Sequence, residues 1–315
     1  MATDDKRVRI EKVLPDIRKM LEVCVLCRRE CRAERAKGQG GYCRSGFNAV
    51  IHSYGLHHGE EPPISGYGGS GTIFFSNCSM GCVYCQNYQF SQSELGREVT
   101  SSELAGIMME LQDTGAHNIN LVTPTHFVYP ILEALREACI RGLEIPVVYN
   151  TGGYDSLAVI KALDGIVDIY LPDMRYSDDR MAEKYSCSPD YVANNRAIVS
   201  QMNSQVSRLV TEDGVAKRGL IIRLLILPGN ISGTLNTLEF IAEELGKDTY
   251  ISVMSQYYPA YKAGEYAELA GSISLDDYHA VIDKMEQRGL DNGWVQSYHG
   301  GFDERFAGEN FKPNI

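Results

Sequence analysis

Gly71-Thr-Ile-Phe-Phe-Ser-Asn-Cys78-Ser-Met-Gly-Cys82-Val-Tyr-Cys85 sets a β-rich run directly against three thiols in a C-x3-C-x2-C spacing. A strand that ends in such a loop can bring its sulfurs to one metal centre. Three thiols are an odd set for structural zinc, which takes four tetrahedral ligands. They suit a four-iron cubane that keeps one iron without a protein ligand, and an open iron is a place for chemistry. A structural zinc loop or a redox thiol loop is the plain alternative, because spacing alone is only a motif match.

Downstream of this stretch, short β-branched runs alternate with runs of helical period, the signature of βα units and a parallel sheet. Strands are expected at 71–76, 118–123, 146–151, 166–172, 219–227 and 250–256. Helices are expected at 101–115, 127–142, 155–163, 178–207 in pieces, 233–246 and 274–289. The sum is an α/β fold, a partial (β/α)6 TIM-like barrel that stays open. Ligands of such barrels sit at the C-terminal ends of the strands. Polar residues gather there: Thr123-Pro-Thr-His126, Asn150-Thr-Gly-Gly153, Asp173-Met-Arg175, Arg223 with Pro228-Gly229, and Gln256-Tyr-Tyr258. His126 reads equally as a helix-capping neighbour or a proton donor, and Tyr257 and Tyr258 read as lining the opening.

Upstream, residues 8–23 carry Val13, Leu14, Ile17, Met20 and Leu21 at helical spacing, and Pro15 is expected to require that the helix start just before it. Cys24-x2-Cys27-x3-Cys31-x11-Cys43 follows with knuckle-like spacing, and Gly38, Gly40 and Gly41 let the backbone turn toward a metal. Structural zinc, an auxiliary iron–sulfur cluster and unligated thiols are all open readings for these four. A linking segment from Ala49 carries His52, His57, His58, Glu60 and Glu61, either substitute ligands or a polar loop. The expected organisation is an N-terminal helix and cysteine-rich metal-binding extension at 1–66, the barrel at 67–290, and a C-terminal tail at 291–315. That tail holds the single Trp and either covers the opening or docks loosely.

The 315 residues, 44% of them apolar, suffice for one barrel-sized core and an appendage. Nine cysteines without an apolar leader suggest reduced thiolates in the cytoplasm, with Cys139 and Cys187 assigned no role. A formal net charge of −11 argues against a nucleic-acid partner, and no apolar run is long enough to span a bilayer.

The cysteine loop at Cys78, Cys82 and Cys85 resembles that of the radical S-adenosylmethionine (SAM) superfamily. The resemblance implies a [4Fe–4S] cluster on these three residues, with its fourth iron chelated by SAM, and Tyr84 near the adenine. Asn150-Thr-Gly-Gly, Asp173-x-Arg175 and Ile222-Arg223-x4-Pro228-Gly229 are similar to the activating enzymes of pyruvate formate-lyase and other glycyl radical enzymes over roughly residues 70–260. By that likeness Asn150, Asp173 and Arg223 would touch the cofactor's ribose or methionyl groups. Over its whole length the chain looks like the subgroup named as activating proteins on likeness. Two departures stand out. Thr123-Pro-Thr-His126 replaces the family's Gly-Gly-Glu, so the cofactor's ammonium would need hydroxyl or carbonyl acceptors, and Arg175 replaces a lysine, a planar fork for a point donor. The resemblance further implies reductive cleavage of SAM to a 5′-deoxyadenosyl radical, and a low-potential ferredoxin or flavodoxin as electron donor. The hydrogen donor would be a partner protein, a peptide or a small molecule. The reading from a different class is a non-catalytic iron–sulfur or zinc protein that carries electrons or scaffolds a partner.

Overall fold

The computed structural model of the chain describes residues 3–93 and 95–298. Its strands are β1 (Ala49–His57), β2 (Ser70–Phe75), β3 (Arg97–Val99), β4 (Ile119–Val122), β5 (Val147–Thr151), β6 (Ile169–Pro172), β7 (Val210–Glu212), β8 (Val215–Leu225), β9 (Tyr250–Met254) and β10 (Gly293–Val295). They form one sheet in the order β10-β9-β8-β6-β5-β4-β2-β1-β3, with β7 paired to β8. The run β2-β4-β5-β6-β8-β9 is parallel throughout and comprises the six strands expected from sequence. Helices Ser101–Asp113, Val128–Ile140, Leu157–Ala162, Asp179–Ser186, Tyr191–Val206, Thr234–Phe240 and Leu275–Arg288 fall between or after these strands, within the ranges expected. Two start on capping boxes, Thr100 with Glu103 and Ser274 with Asp277.

The period of two along each strand separates the faces. Outward residues such as Leu121, Tyr149, Tyr170, Ile222 and Val253 join the main core shared with the helices. Inward residues Val148, Ile169, Leu171 and Ile221 form a second small core that is plugged from below by Ile64. Ile64 belongs to the short helix Pro62–Ser65, whose position is fixed because Asn118 Nδ2 donates to the Ile64 carbonyl at 2.8 Å, while Ser70 Oγ donates to Asn118 Oδ1 at 2.7 Å. The strand interior is thus closed at its lower end, and only the upper part is hollow.

Three expectations change. The segment from Ala49, read as a link, is strand β1, antiparallel to both β2 and β3, so the extension and the barrel share one sheet. Its histidines and Gly55 mask the alternation, and pairing on both sides compensates. Pro15 lies well inside the helix Thr3–Glu22 and does not begin it. A proline there costs about 3 kcal/mol, which burial of Ile10, Ile17 and Leu21 against Val128–Ile140 offsets. The strands β3, β7 and β10 were not expected. β10 draws the start of the tail into the sheet beside β9, and residues 299–315 of that tail lie outside the described residues. Among the described residues no helix is long and apolar enough to cross a membrane.

Candidate active site

The thiol loop leaves the upper end of β2 through Ser76 and Asn77, the latter in the left-handed region at φ 68°. The Ser76 carbonyl is braced by His126, whose Nε2 stands 2.8 Å away. A carbonyl only accepts, so Nε2 carries a proton, and burial, which pushes His126 down to about 3, keeps the ring neutral. His126 therefore neither caps the helix nor faces the cavity; it anchors the strand from which the thiols hang.

Each thiol of the loop has a donor of its own. Met80 N–H points at Cys78 Sγ (3.3 Å), Ser186 Oγ donates to Cys82 Sγ (3.0 Å), and Cys85 Sγ pairs with Ser91 Oγ at 3.2 Å. Ser186 continues through Tyr176 to Tyr84 in a chain of two 2.7 Å hydroxyl contacts, which ties Cys82 to the aromatic residue beside Cys85. Burial pushes Cys78 up to about 12 and Cys85 to about 11; Cys82 adds to both shifts, while the Arg175 guanidinium opposes them. Raised in this way, the thiols ionise together only against a positively charged core. Among the described residues no group of three or more His, Cys, Asp or Glu is arranged to hold a single metal ion. A cubane, met by each thiolate at a separate corner, does not require such convergence, so the donor set fits it.

Above the Ile64 plug lies a cavity of about 660 Å³. Tyr84, Cys85, Gln86 and Asn87 border it at the thiol end, and Asn150, Asp173, Arg175 and Arg223 form its middle. Arg223 organises this middle layer: Nε donates to Asp173 Oδ1 at 2.9 Å, Nη2 to Asn150 Oδ1 at 2.6 Å, and Nη1 lies 3.7 Å from Glu60 Oε2. Arg175 Nη2 takes the other oxygen of Asp173. Glu60 and Glu61 occupy the lower end, and His57, Phe74, Ser252, Met254 and Trp294 also line the cavity.

The four N-terminal cysteines lie in the irregular stretch between the first helix and β1. Burial pushes Cys27 up to about 12, and Cys43, Cys24 and Cys31 each add to the shift, so the four sulfurs sense one another. A side chain on Gly41 would stand 2.5 Å from Cys31 Sγ, which accounts for glycine there. The stretch is fastened to the thiol loop: Arg29 Nε donates to the Ser79 carbonyl at 3.1 Å, and Arg35 Nη1 to the His126 carbonyl at 2.6 Å.

Residues 72–193, from β2 through the thiol loop to the start of the helix Tyr191–Val206, match the Radical SAM superfamily model. That stretch of the chain is similar to a radical SAM domain. Such a domain works with a [4Fe–4S] cluster and SAM. The uncharacterized protein MJ0674 of Methanocaldococcus jannaschii is 28% identical over 278 residues, which are 85% of this chain and 75% of that protein. Among solved structures, Streptococcus suis SuiB bound to its precursor peptide SuiA is similar at 13% identity and a TM-score of 0.49, over 71% of this chain and 47% of that one. The hydrogenase maturase HydG of Carboxydothermus hydrogenoformans is similar at 13% identity and TM-score 0.49, over 70% of this chain and 50% of that one. The chain spans about half the length of these two structures.

Tyr84, Asn150 and Asp173 within the matched stretch and Arg223 beyond it, widely separated in sequence, all border the one cavity, together with Cys85. Thr125 is buried and outside the cavity lining, and its hydroxyl donates to Asp155 Oδ1 at 2.7 Å. One expectation for the rim fails. Tyr257 does not line the opening; it is buried, its hydroxyl donating to the Leu269 carbonyl at 2.6 Å, and its ring meets Tyr84 edge-on. Sequence reasoning missed Glu60, Glu61, Ser252 and Trp294 as cavity residues. The available signal was the adjacent acid pair pinned by Pro62 and Pro63 ahead of an apolar Ile64.

Proposed function

We propose that the chain is a radical SAM enzyme in which Cys78, Cys82 and Cys85 hold the [4Fe–4S] cluster and Tyr84, Asn150, Asp173 and Arg223 hold SAM. The observation that carries this reading is the opening of all four polar residues and Cys85 onto one cavity. When bound and reduced, the cluster and SAM together supply a carbon-centred radical able to abstract hydrogen. The chain's own residues position and shield. Arg223 and Arg175 fix the Asp173 carboxylate from both sides, leaving it oriented to accept from ribose hydroxyls. Tyr84, steered by Tyr176, offers an aromatic edge beside the thiols. The Ile64 plug closes the lower end against water.

The finer reading, a protein of the glycyl radical activating kind served by a ferredoxin or flavodoxin, is supported by sequence likeness at Asn150, Asp173 and Arg223. By the same donor chemistry, Cys24, Cys27, Cys31 and Cys43 form a second metal site, zinc or an auxiliary cluster, and since no group among the described residues is arranged for a single ion, the cluster is the better fit. The test is anaerobic reconstitution with iron and sulfide, reduction with dithionite and assay for 5′-deoxyadenosine. Wild type should release it from SAM, and Cys82→Ser should not. No release from wild type that holds about four irons per chain would leave the carrier or scaffold reading in its place.

A further inference from the structure

The lower end of the cavity is built for a purpose that the cofactor does not account for. Glu60 and Glu61 sit on the loop between β1 and the Pro62–Ser65 plug, their carboxylates almost wholly out of solvent: the Glu60 side chain is 9% exposed and Glu61 is 8% exposed. Glu60 is satisfied, since Asn120 Nδ2 donates to its Oε1 at 3.0 Å and Arg223 lies near its Oε2. Glu61 is not: its Oε2 is buried with no hydrogen-bond partner. Both guanidiniums of the cavity, Arg175 and Arg223, are committed to Asp173. Burial raises Glu60 and Glu61 above the ordinary carboxylate range, and the unpartnered Glu61 oxygen lacks the cation that would hold its charge.

Position separates this end from the cluster. Asn120, the partner of Glu60, is level in register with Thr72, three residues before the end of β2. At about 3.3 Å per residue the pair lies roughly 10 Å below the point where the thiol loop begins. A cofactor chelated at the open iron through its amino and carboxylate groups does not bring those groups to Glu61. A second observation points to the same ligand chemistry. Burial raises the Glu61 carboxyl, and the hydroxyl of Ser252 is near enough to oppose that shift; Ser252 is the register partner of Trp294, and both line the cavity. A buried carboxylate and an indole that line one cavity suit a cationic nitrogen group, held by charge, hydrogen bonds and the ring quadrupole.

We propose that Glu61 and Trp294 form the substrate-anchoring end of the cavity, and that the molecule giving up hydrogen reaches it with an ammonium or guanidinium group. This deepens the functional reading above and rests on it for the word substrate. The binding claim stands alone.

Trp294 is the chain's single tryptophan, so its fluorescence reports this site directly. The full-length, anaerobically reconstituted protein would be titrated in the presence of SAM with n-butylguanidinium, n-butylammonium, n-butanol and butyrate. The cations should saturate the signal at concentrations at least tenfold lower than the alcohol, and butyrate should give no saturable change. Glu61→Gln should weaken the cations at least tenfold and leave the alcohol unchanged, while Glu60→Gln should leave cation binding within about threefold. Acetyl-glycyl-arginine amide, compared with n-butylguanidinium, distinguishes a protein source of the cation from a small molecule: tighter binding of the peptide assigns it to a protein. Equal binding of alcohol and guanidinium by wild type overturns the proposal even if Glu61→Gln fails to fold, as does a folded Glu61→Gln that binds cations normally. Release of 5′-deoxyadenosine by the same preparation reads the functional proposal separately, so either can fail while the other stands.

Discussion

Removing Arg223 tests the energetic logic of the cavity. Its guanidinium donates to Asp173 at 2.9 Å and Asn150 at 2.6 Å and lies 3.7 Å from Glu60, with the side chain only 18% exposed. Arg223→Met keeps most of the volume and deletes the charge. Breaking a buried ion pair by removing one partner costs about 3–5 kcal/mol. Here Arg175 still holds Asp173, and Asn120 still holds Glu60, so the lower end applies. About 3 kcal/mol corresponds to a fall in melting temperature of roughly 4–5 °C for a chain of 315 residues. Arg223→Lys should recover about half, since an ammonium can reach Asp173 but lacks the second planar donor that meets Asn150. The assay is thermal unfolding by circular dichroism, followed by SAM binding in equilibrium dialysis. A double-mutant cycle with Asp173→Asn should show coupling above about 0.5 kcal/mol, and one with Glu60→Gln should show less, because 3.7 Å exceeds hydrogen-bond reach. If Arg223→Met melts within about 2 °C of wild type, or if the Glu60 coupling exceeds that of Asp173, the network does not work as described.

Three further outcomes follow from other parts of the molecule. His126, held neutral and depressed from 6.5 to about 3, binds no proton where the unfolded chain binds one, so its contribution is complete above about pH 6.5 and drains away toward pH 3. Stability measured against pH should lose up to about 1.4 kcal/mol per unit across that window through this one group, and His126→Gln should flatten the slope there; an unchanged slope would mean the ring is not buried neutral. Asp155 accepts from Thr125 at 2.7 Å, Tyr149 at 2.8 Å and Thr151 at 2.6 Å, and Asp155→Ala strands three buried hydroxyls. A loss of about 3–5 kcal/mol in urea denaturation is expected, whereas a loss below about 1 kcal/mol would contradict the network. Replacing Cys24, Cys27, Cys31 and Cys43 together with serine should remove the second metal while leaving the iron on Cys78, Cys82 and Cys85, and elemental analysis of both forms decides it. Cys139→Ala should change the content of neither.

The barrel was readable because its signals are local. The six parallel strands announce themselves as β-branched runs, and helices such as Ser101–Asp113 and Leu275–Arg288 carry their own start signals in Thr100 and Ser274. β1 was hidden because its identity is tertiary: a run with two histidines and a glycine becomes a strand only by pairing with β2 on one side and β3 on the other. The same division runs through the site. Asn150, Asp173 and Arg223 could be picked out because side chains at or just after the upper ends of parallel strands must converge, and the thiol spacing marks which end matters. Glu60 and Glu61 obey no such rule. They enter the cavity from below, on the loop before the first parallel strand, and only the docking of Ile64 beneath Val148, Ile169 and Ile221 turns a polar loop into a buried acidic end. A cavity with one end specified by motif and the other by packing separates two tasks. The thiol end carries chemistry common to the superfamily, and the lower end, held through Arg223 to Asp173, is free to differ with the molecule it admits. Substitutions at Glu61 should therefore alter what binds while sparing the cluster, and substitutions in the thiol loop should do the reverse.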